Sequence, residues 1–329
     1  MRLLVVLAVA AGLIGLAVAL VGGKDRAQRP ASATPPDFIG IVPPGIASMN
    51  GAQLDQALGL AQRLHVGLLR QTFDWADIER SPGRYDFARY DALMTAASKR
   101  GLHVLAVLFN PPGFHSAGPP RPSRRGTYPP RHPGDLGVFA AVAVRRYGPQ
   151  GSFWRAHPEL KPDPIRAWQV WNEPSLPAYW PTGPSPAAYA RLLATTARAI
   201  RRADPQATIV SAGLPQTRIG VPFGRFAEGL YRAGAARSFD VLAIHPYARD
   251  AAGVVAAVAA ARRLMDRHGD RSPIWVTEIG WASSGPSSDF TVGARGQAER
   301  VRATLLALRG GPKPAFAAFE NAARRVAGR

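Results

Sequence analysis

Two glutamates stand where a carboxylate can do chemistry. One lies in Trp171-Asn172-Glu173-Pro174 and the other in Trp275-Val276-Thr277-Glu278-Ile279-Gly280-Trp281. Each ends a short apolar run of strand character, and Pro174 stops the first run from continuing. A glutamate at a strand end is, taken singly, more often half of a structural ion pair. Two of them facing one mouth supply what glycoside hydrolysis requires. One carboxyl gives a proton to the leaving oxygen, and the other attacks the anomeric carbon or activates a water to do so.

Other chemistries find less support. The chain has no cysteine, which removes thiol nucleophiles and Cys-based zinc sites. No Gly-x-Ser-x-Gly elbow is present for a serine esterase. His115, His132 and His157 are scattered through loops without metal-ligand spacing, and His103 begins a strand at the floor, where a structural role is expected. The segment Ile39-Gly40-Ile41-Val42-Pro43-Pro44-Gly45 lacks the GxGxxG spacing of a dinucleotide site. No catalytic metal and no cofactor are expected.

The elements that must position the two acids alternate along the chain. Strands are predicted at Phe38 to Val42, Val66 to Arg70, Val104 to Leu108, Ile165 to Trp171, Thr208 to Ser211, Val241 to Ile244 and Ile274 to Thr277. Helices are predicted at Leu54 to Leu64, Tyr90 to Lys99, Phe139 to Tyr147, Tyr189 to Arg202, Phe226 to Arg232, Val254 to Arg267 and Gln297 to Leu308. Strands apolar throughout, alternating with helices, imply a parallel sheet covered on its outer face. Seven such pairs in succession favour an α/β fold of the TIM (β/α)₈ type over a doubly wound sheet. The Pro-rich connection from Asn110 to Asp135 would lie on the C-terminal rim of a barrel, where it reads as a cleft wall.

The first residues stand apart. Leu3 to Val21 is an uninterrupted apolar run behind Met1-Arg2, with Ala17-Val18-Ala19 as a cleavage-site pattern. It is long enough for a bilayer and has the layout of an export signal. Residues 1–23 are therefore expected to be a signal peptide or membrane anchor, 24–37 a Pro/Ala/Ser linker, and 38–329 the folded unit. The formal net charge is +19. Its arginines are spread over the polar edges of helices, and no nucleic-acid-binding signature accompanies them. Nucleic acid is not an expected partner; an acidic glycan or an anionic envelope stays open.

From about Phe38 to Trp281 the chain resembles the retaining (β/α)₈ glycoside hydrolases of clan A, families 39 and 5 most closely. The matching segments are Asn172-Glu173, Glu278, Arg70 at the second strand, His245-Pro246-Tyr247 at the sixth, and the stretch from Ile78 to Phe87 leading to Tyr90-Asp91. The resemblance implies Glu173 as acid/base and Glu278 as nucleophile. It implies Arg70, His245 and Tyr247 beside the nucleophile, where a cation and a hydroxyl would keep it ionised. Asn172 would bond the sugar 2-hydroxyl. An apolar setting against Trp168 or Trp171 would keep Glu173 protonated. Trp281 and Trp180, which follow strand ends, and with them Trp75 and Tyr179, are candidates to stack on sugar rings; core packing is the alternative.

One part of the pattern is missing. Between Leu308 and the helix predicted at Ala315 to Ala327 stand only Arg309-Gly310-Gly311-Pro312-Lys313-Pro314, with the Lys-Pro-Ala-Phe turn, and no apolar eighth strand. Unpaired edges on the first and seventh strands are costly, on the order of 1–3 kcal/mol for each buried unsatisfied group. Poor folding, direct closure of strands one and seven, or an edge supplied by a partner chain are the options. The expectation is thus an O-glycosidase acting by double displacement. The alternatives are a catalytically impaired glycan-binding protein of the same fold, or a basic envelope-tethering protein. Sugar identity, endo or exo cleavage and oligomeric state are not encoded legibly.

Overall fold

The computed structural model describes residues 2–10, 13–21, 39–43, 45–119, 126–217 and 219–309, with the first two segments and residue 309 described as backbone alone. The linker expected at 24–37, the fold start at Phe38 and the helix at Ala315 to Ala327 lie outside the described residues.

Parallel strands β3 (Ile39–Val42), β4 (Leu68–Asp74), β7 (His103–Phe109), β8 (Ala167–Val170) and β9 (Thr208–Val210) pair in that order. The chain runs on from β9 into β10 (Leu214–Pro215), which pairs with β11 (Leu242–His245), and β11 pairs with β12 (Ile274–Val276). Helices α1 (Gly51–Arg63), α3 (Ala88–Ser98), α4 (Pro133–Tyr147), α6 (Pro186–Ala203), α7 (Phe223–Arg232), α8 (Ala251–Arg267) and α9 (Gly293–Arg309) follow successive strands. Short elements fill the connections: α2 (Trp75–Ile78), the hairpin β5 (Glu79–Ser81) and β6 (Arg84–Tyr85), α5 (Ser152–Ala156) and β13 (Gly280–Ala282). This is the expected α/β barrel.

Local chemistry explains the element ends. Asn50 caps α1 in a reciprocal capping box with Gln53, and Ser185 and Asp250 cap α6 and α8. Helix α4 starts at Pro133, earlier than the apolar periodicity indicates, because a proline at the first helical turn forfeits no hydrogen bond. On one side of the strands, Phe73, Tyr90, Tyr147 and Trp168 form an aromatic cluster under the helices.

The place of the missing eighth strand is taken by none of the three expected solutions. Antiparallel strands β1 (Arg2–Ala10) and β2 (Leu13–Val21) stand between β12 and β3, with Ile274 opposite Leu20 and Val6 opposite Gly40. β13 also pairs with β2. An apolar run satisfies a strand period as readily as a helical one, so residues expected to span or cross a membrane here partner the two sheet edges. Among the described residues no helix is long and apolar enough to cross a membrane.

Candidate active site

The C-terminal ends of the strands carry one hydrogen-bonded cluster, and Arg70 on β4 is its hub. Its guanidinium donates through Nε to Gln169 Oε1 at 2.8 Å, through Nη2 to Asn172 Oδ1 at 2.7 Å, and through Nη1 to Glu278 Oε2 at 3.0 Å. Arg70 is buried, so this three-way fork fixes β4, β8 and the segment after β12 against one another. Gln169 passes the restraint on, donating to Ser211 O at 3.0 Å and to Thr277 Oγ1 at 3.2 Å.

Glu278 accepts from Arg70 on one oxygen and from the Tyr247 hydroxyl on the other. Burial pushes its carboxyl up, but His245, Arg70 and Tyr247 together outweigh that and hold it below the ordinary value of 4.5. The Tyr247 phenol moves the other way, well above 10, through burial and the facing carboxylates. Tyr247 therefore stays a donor across any working pH.

Glu173 is placed by a strained corner. Trp171 and Glu173 both have positive φ, 74° and 42°, a region that costs residues with a Cβ on the order of 1–3 kcal/mol each. The corner is held because Trp171 N–H donates to Leu108 O at 3.0 Å and its Nε1 to Tyr179 O at 3.0 Å. It turns Glu173 inward toward His245, whose Nδ1 lies 2.8 Å from Glu173 Oε1 and 3.9 Å from Glu278 Oε2. His245 Nε2 sits 3.1 Å from Thr277 Oγ1. The imidazole is fully buried, wedged between the two acids. Trp168 and Trp171 belong to the core, and the polar neighbour of Glu173 is this histidine rather than an indole.

The structure thus brings together Arg70, Asn172, Glu173, His245, Tyr247 and Glu278. It does not bring Trp281 or Trp180 to the cleft. Trp281 is fully buried with Nε1 donating to Ala248 O at 2.9 Å, and Trp180 is wedged edge-on between Trp171 and Tyr189. Both expectations of sugar stacking are corrected: neither indole has a face open to a ring. Trp75 is buried as well, stacked between His115 and Phe139. The aromatic at the mouth is Tyr179, whose phenol is pushed up to about 12 by burial and by Glu173 and Glu278.

Sequence reading missed several participants. Gly213 faces His245 so closely that a Cβ there would fall inside the imidazole. Tyr189 ties the ends of two strands, donating to Val170 O at 2.9 Å and accepting from Ala212 N–H at 2.6 Å. Gln216, whose N–H donates to His245 O, buries its Nε2 without a partner. A Gly and a Gln beyond a short strand carry no signal in composition or period. The described part of the Pro-rich connection is tied down near the site: Arg131 N–H donates to His115 O at 2.7 Å, and Thr127 N–H to Ala178 O at 2.8 Å beside Tyr179.

Residues 148–302 match the family model described as the glycosyl hydrolase catalytic core, a span that takes in both glutamates. No relative of curated function matches the chain. Among solved structures it is similar to a family 39 β-xylosidase from Caulobacter crescentus, at 18% identity and TM-score 0.59, over 84% of this chain and 68% of that one. It is similar to a family 39 glycoside hydrolase from Bacteroides cellulosilyticus WH2, at 16% identity and TM-score 0.54, over 91% and 61%. It is similar also to an exo-β-1,4-mannosidase from Opitutaceae bacterium strain TAV5, at 17% identity and TM-score 0.53, over 82% and 48%. At these identities the likeness is one of fold, the clan A barrel, and the chain spans about two thirds or less of the length of these proteins.

Proposed function

We propose that this glycosyl hydrolase core cleaves O-glycosidic bonds in an oligo- or polysaccharide with retention, using Glu278 as nucleophile and Glu173 as acid/base. The observation that carries the reading is the cluster itself. One carboxylate is held ionised by a guanidinium and a phenol, and a second reaches the same buried imidazole. Two carboxylates within 2.8 and 3.9 Å of one nitrogen support the spacing of retaining enzymes, about 5–5.5 Å, over the wider gap of inverting ones.

In the first step a Glu278 oxygen bonds the anomeric carbon as the glycosidic C–O bond breaks, and the Glu173 proton passes to the departing oxygen. In the second, Glu173 takes a proton from water, the water oxygen bonds the anomeric carbon, and Glu278 leaves as carboxylate. His245 is positioned to share a proton with Glu173 while Thr277 fixes the far side of the ring. Asn172, with Oδ1 occupied by Arg70 and its side chain also hydrogen-bonded to Tyr179, keeps one amide N–H to offer the sugar 2-hydroxyl, a contact that strengthens in the transition state.

A panel of aryl β-glycosides tests this. Wild-type turnover should vanish in Glu278→Ala and return with azide as an external nucleophile. Glu173→Ala should cost about 10²–10⁴-fold on substrates with poor leaving groups and less on activated ones. Affinity for glycans without turnover by the wild type would leave a glycan-binding protein instead.

We further propose that residues 3–21 direct export or anchor the chain at a membrane, on the strength of their unbroken apolar run behind Met1-Arg2. The same residues cannot sit in a bilayer and beside β12 and β3 at once. A chain beginning at residue 24 should therefore unfold in one transition no lower than the full chain. A clear fall in Tm would place the segment in the sheet and refute the export reading.

A further inference from the structure

One residue fixes the direction of the hydrogen bonds behind the two acids. Arg70 has only donors, so Gln169 Oε1, 2.8 Å from Arg70 Nε, must accept. The amide N–H groups of Gln169 then point the other way, to Ser211 O at 3.0 Å and Thr277 Oγ1 at 3.2 Å. The Ser211 carbonyl can only accept, which sets the same amide orientation independently. Thr277 Oγ1 thus receives a hydrogen from Gln169 and has its own to give. Thr277 is fully buried, and among the described residues the remaining partner of its hydroxyl is His245 Nε2, at 3.1 Å.

Every other arrangement leaves a group unpaired. With a hydrogen on Nε2, whether the ring is neutral or doubly protonated, the Thr277 hydroxyl hydrogen lacks an acceptor, at a cost of about 1–3 kcal/mol. The charges do not reverse this. Nδ1 faces Glu173 Oε1 at 2.8 Å and Glu278 Oε2 at 3.9 Å, but Glu278 has Arg70 as its counter-ion, 3.0 Å away. A neutral ring with its hydrogen on Nδ1 turns that N–H end toward both carboxyl groups and satisfies every partner. Glu173 Oε1 is then an acceptor, while Oε2 makes no hydrogen bond among the described residues.

We propose that Thr277, oriented by Gln169 and Arg70, is a positioning residue: it holds His245 as the Nδ1–H tautomer and so confines the acid/base proton to Oε2 of Glu173. Without that restraint Glu173 can turn its proton from Oε1 onto Nδ1, away from the leaving oxygen. Arg70 thereby serves both carboxyls, Glu278 directly and Glu173 through this chain. The inference rests on the glycosidase reading for the role of Glu173, but the tautomer is measured without turnover.

The experiment labels the histidines of the full chain isotopically and reads their ring nitrogens by NMR, with His245→Asn to assign the signal. The wild type is expected to show a bare Nε2 and a hydrogen on Nδ1 at neutral pH. A hydrogen on Nε2, with or without one on Nδ1, overturns the proposal. Gln169→Glu should reverse the chain, because a carboxylate accepts from Thr277 and leaves Oγ1 to accept from Nε2–H. An unchanged tautomer in a folded Gln169→Glu protein also overturns it. Should that variant fail to fold, Thr277→Val and Thr277→Ser carry the test. The valine should lower kcat about tenfold on glycosides with poor leaving groups and far less on activated aryl glycosides, with KM unchanged, and the serine should restore it. Equal losses on both kinds of substrate, or no rescue by serine, would leave Thr277 a packing residue. A bare Nε2 in a protein that turns over no glycoside would keep the tautomer and remove the glycosidase. A hydrogen on Nε2 with Glu278-dependent turnover would do the reverse.

Discussion

Gly213→Ala is the most economical probe of the catalytic cluster. A methyl group there would fall within the His245 ring, whose Cε1 would lie only 2.6 Å away and other ring atoms closer still. Ordinary contact begins near 3.5 Å, so the nearest ring atom must retreat by more than about 1.5 Å. His245 cannot retreat without lengthening its 2.8 Å contact to Glu173 and its 3.1 Å contact to Thr277. A displacement of that size in a positioning group costs about 10²-fold in rate, or about 2.7 kcal/mol. The fold should lose about 1–3 kcal/mol as an overpacked core does. Gly213 has no positive φ, so backbone strain adds nothing and the effect is steric. The assay is kcat/KM on an aryl glycoside, measured well below Tm, for Gly213→Ala, His245→Ala and the double variant. If the clash is the cause, the methyl does little further harm once the ring is gone, and the double variant matches His245→Ala alone. Additive losses, or a Gly213→Ala enzyme with wild-type kcat/KM and Tm, would refute the reasoning.

Three further outcomes follow from the same geometry. Arg70→Gln removes a cation that holds the Glu278 carboxyl below 4.5, so the acid limb of kcat/KM should move to higher pH. Stability follows the same sign. A carboxyl depressed in the folded state stabilises above its unfolded pKa, and that contribution is lost as pH falls through the folded value, a window that Arg70→Gln should shift upward in acid unfolding. Tyr247→Phe deletes the phenol donor to Glu278 and should lower kcat about tenfold with a smaller upward move of the acid limb, read from the same pH profile. Gly126→Ala places a Cβ at φ 145° against Ala178 O, which should loosen the Pro-rich connection from the Tyr179 loop. It should raise KM severalfold and leave kcat nearly unchanged, since no catalytic group touches that contact.

The parts of this architecture that were legible are those with long periodic or unbroken apolar runs. The strand read as Val104 to Leu108 is His103–Phe109, and the helix read as Tyr189 to Arg202 is Pro186–Ala203. Short elements escaped: β13 is three residues long, and α2 a single turn. At the site, Glu173 and Glu278 were legible as carboxylates at strand ends, while Arg70 and Tyr247 were legible only through the resemblance to clan A hydrolases. Their geometry was not encoded locally, because each partner lies on another strand. The indoles misled for the opposite reason. Trp180 and Trp281 follow strand ends as a sugar platform would, yet a residue of that size at the rim also closes the core beneath it, and burial decided the matter.

The relation between seam and site bears on what an incomplete barrel can still do. Glu278 lies just beyond β12, the strand beside the place where an eighth would stand, the seam of the barrel. Its restraints come from elsewhere: Arg70 from β4, Tyr247 and His245 from β11 and the turn after it, and Gln169 of β8 through Thr277. The contacts from Tyr247 and His245 join the neighbouring strands β11 and β12 on one side of the seam, whereas the Arg70 bond reaches Glu278 from beyond it, from β4. Loosening the β12 edge itself, by Ile274→Ala in the core beneath it, should lower the unfolding temperature before it disturbs the nucleophile, because Tyr247 and His245 hold Glu278 from the same side of the seam. A variant melting early, yet keeping its kcat/KM and its acid limb below the melt, would show the two to be separable. A fall in kcat/KM that tracks the loss of Tm from the first degree would show that the seam, and not the Arg70 fork, holds the carboxylate in place.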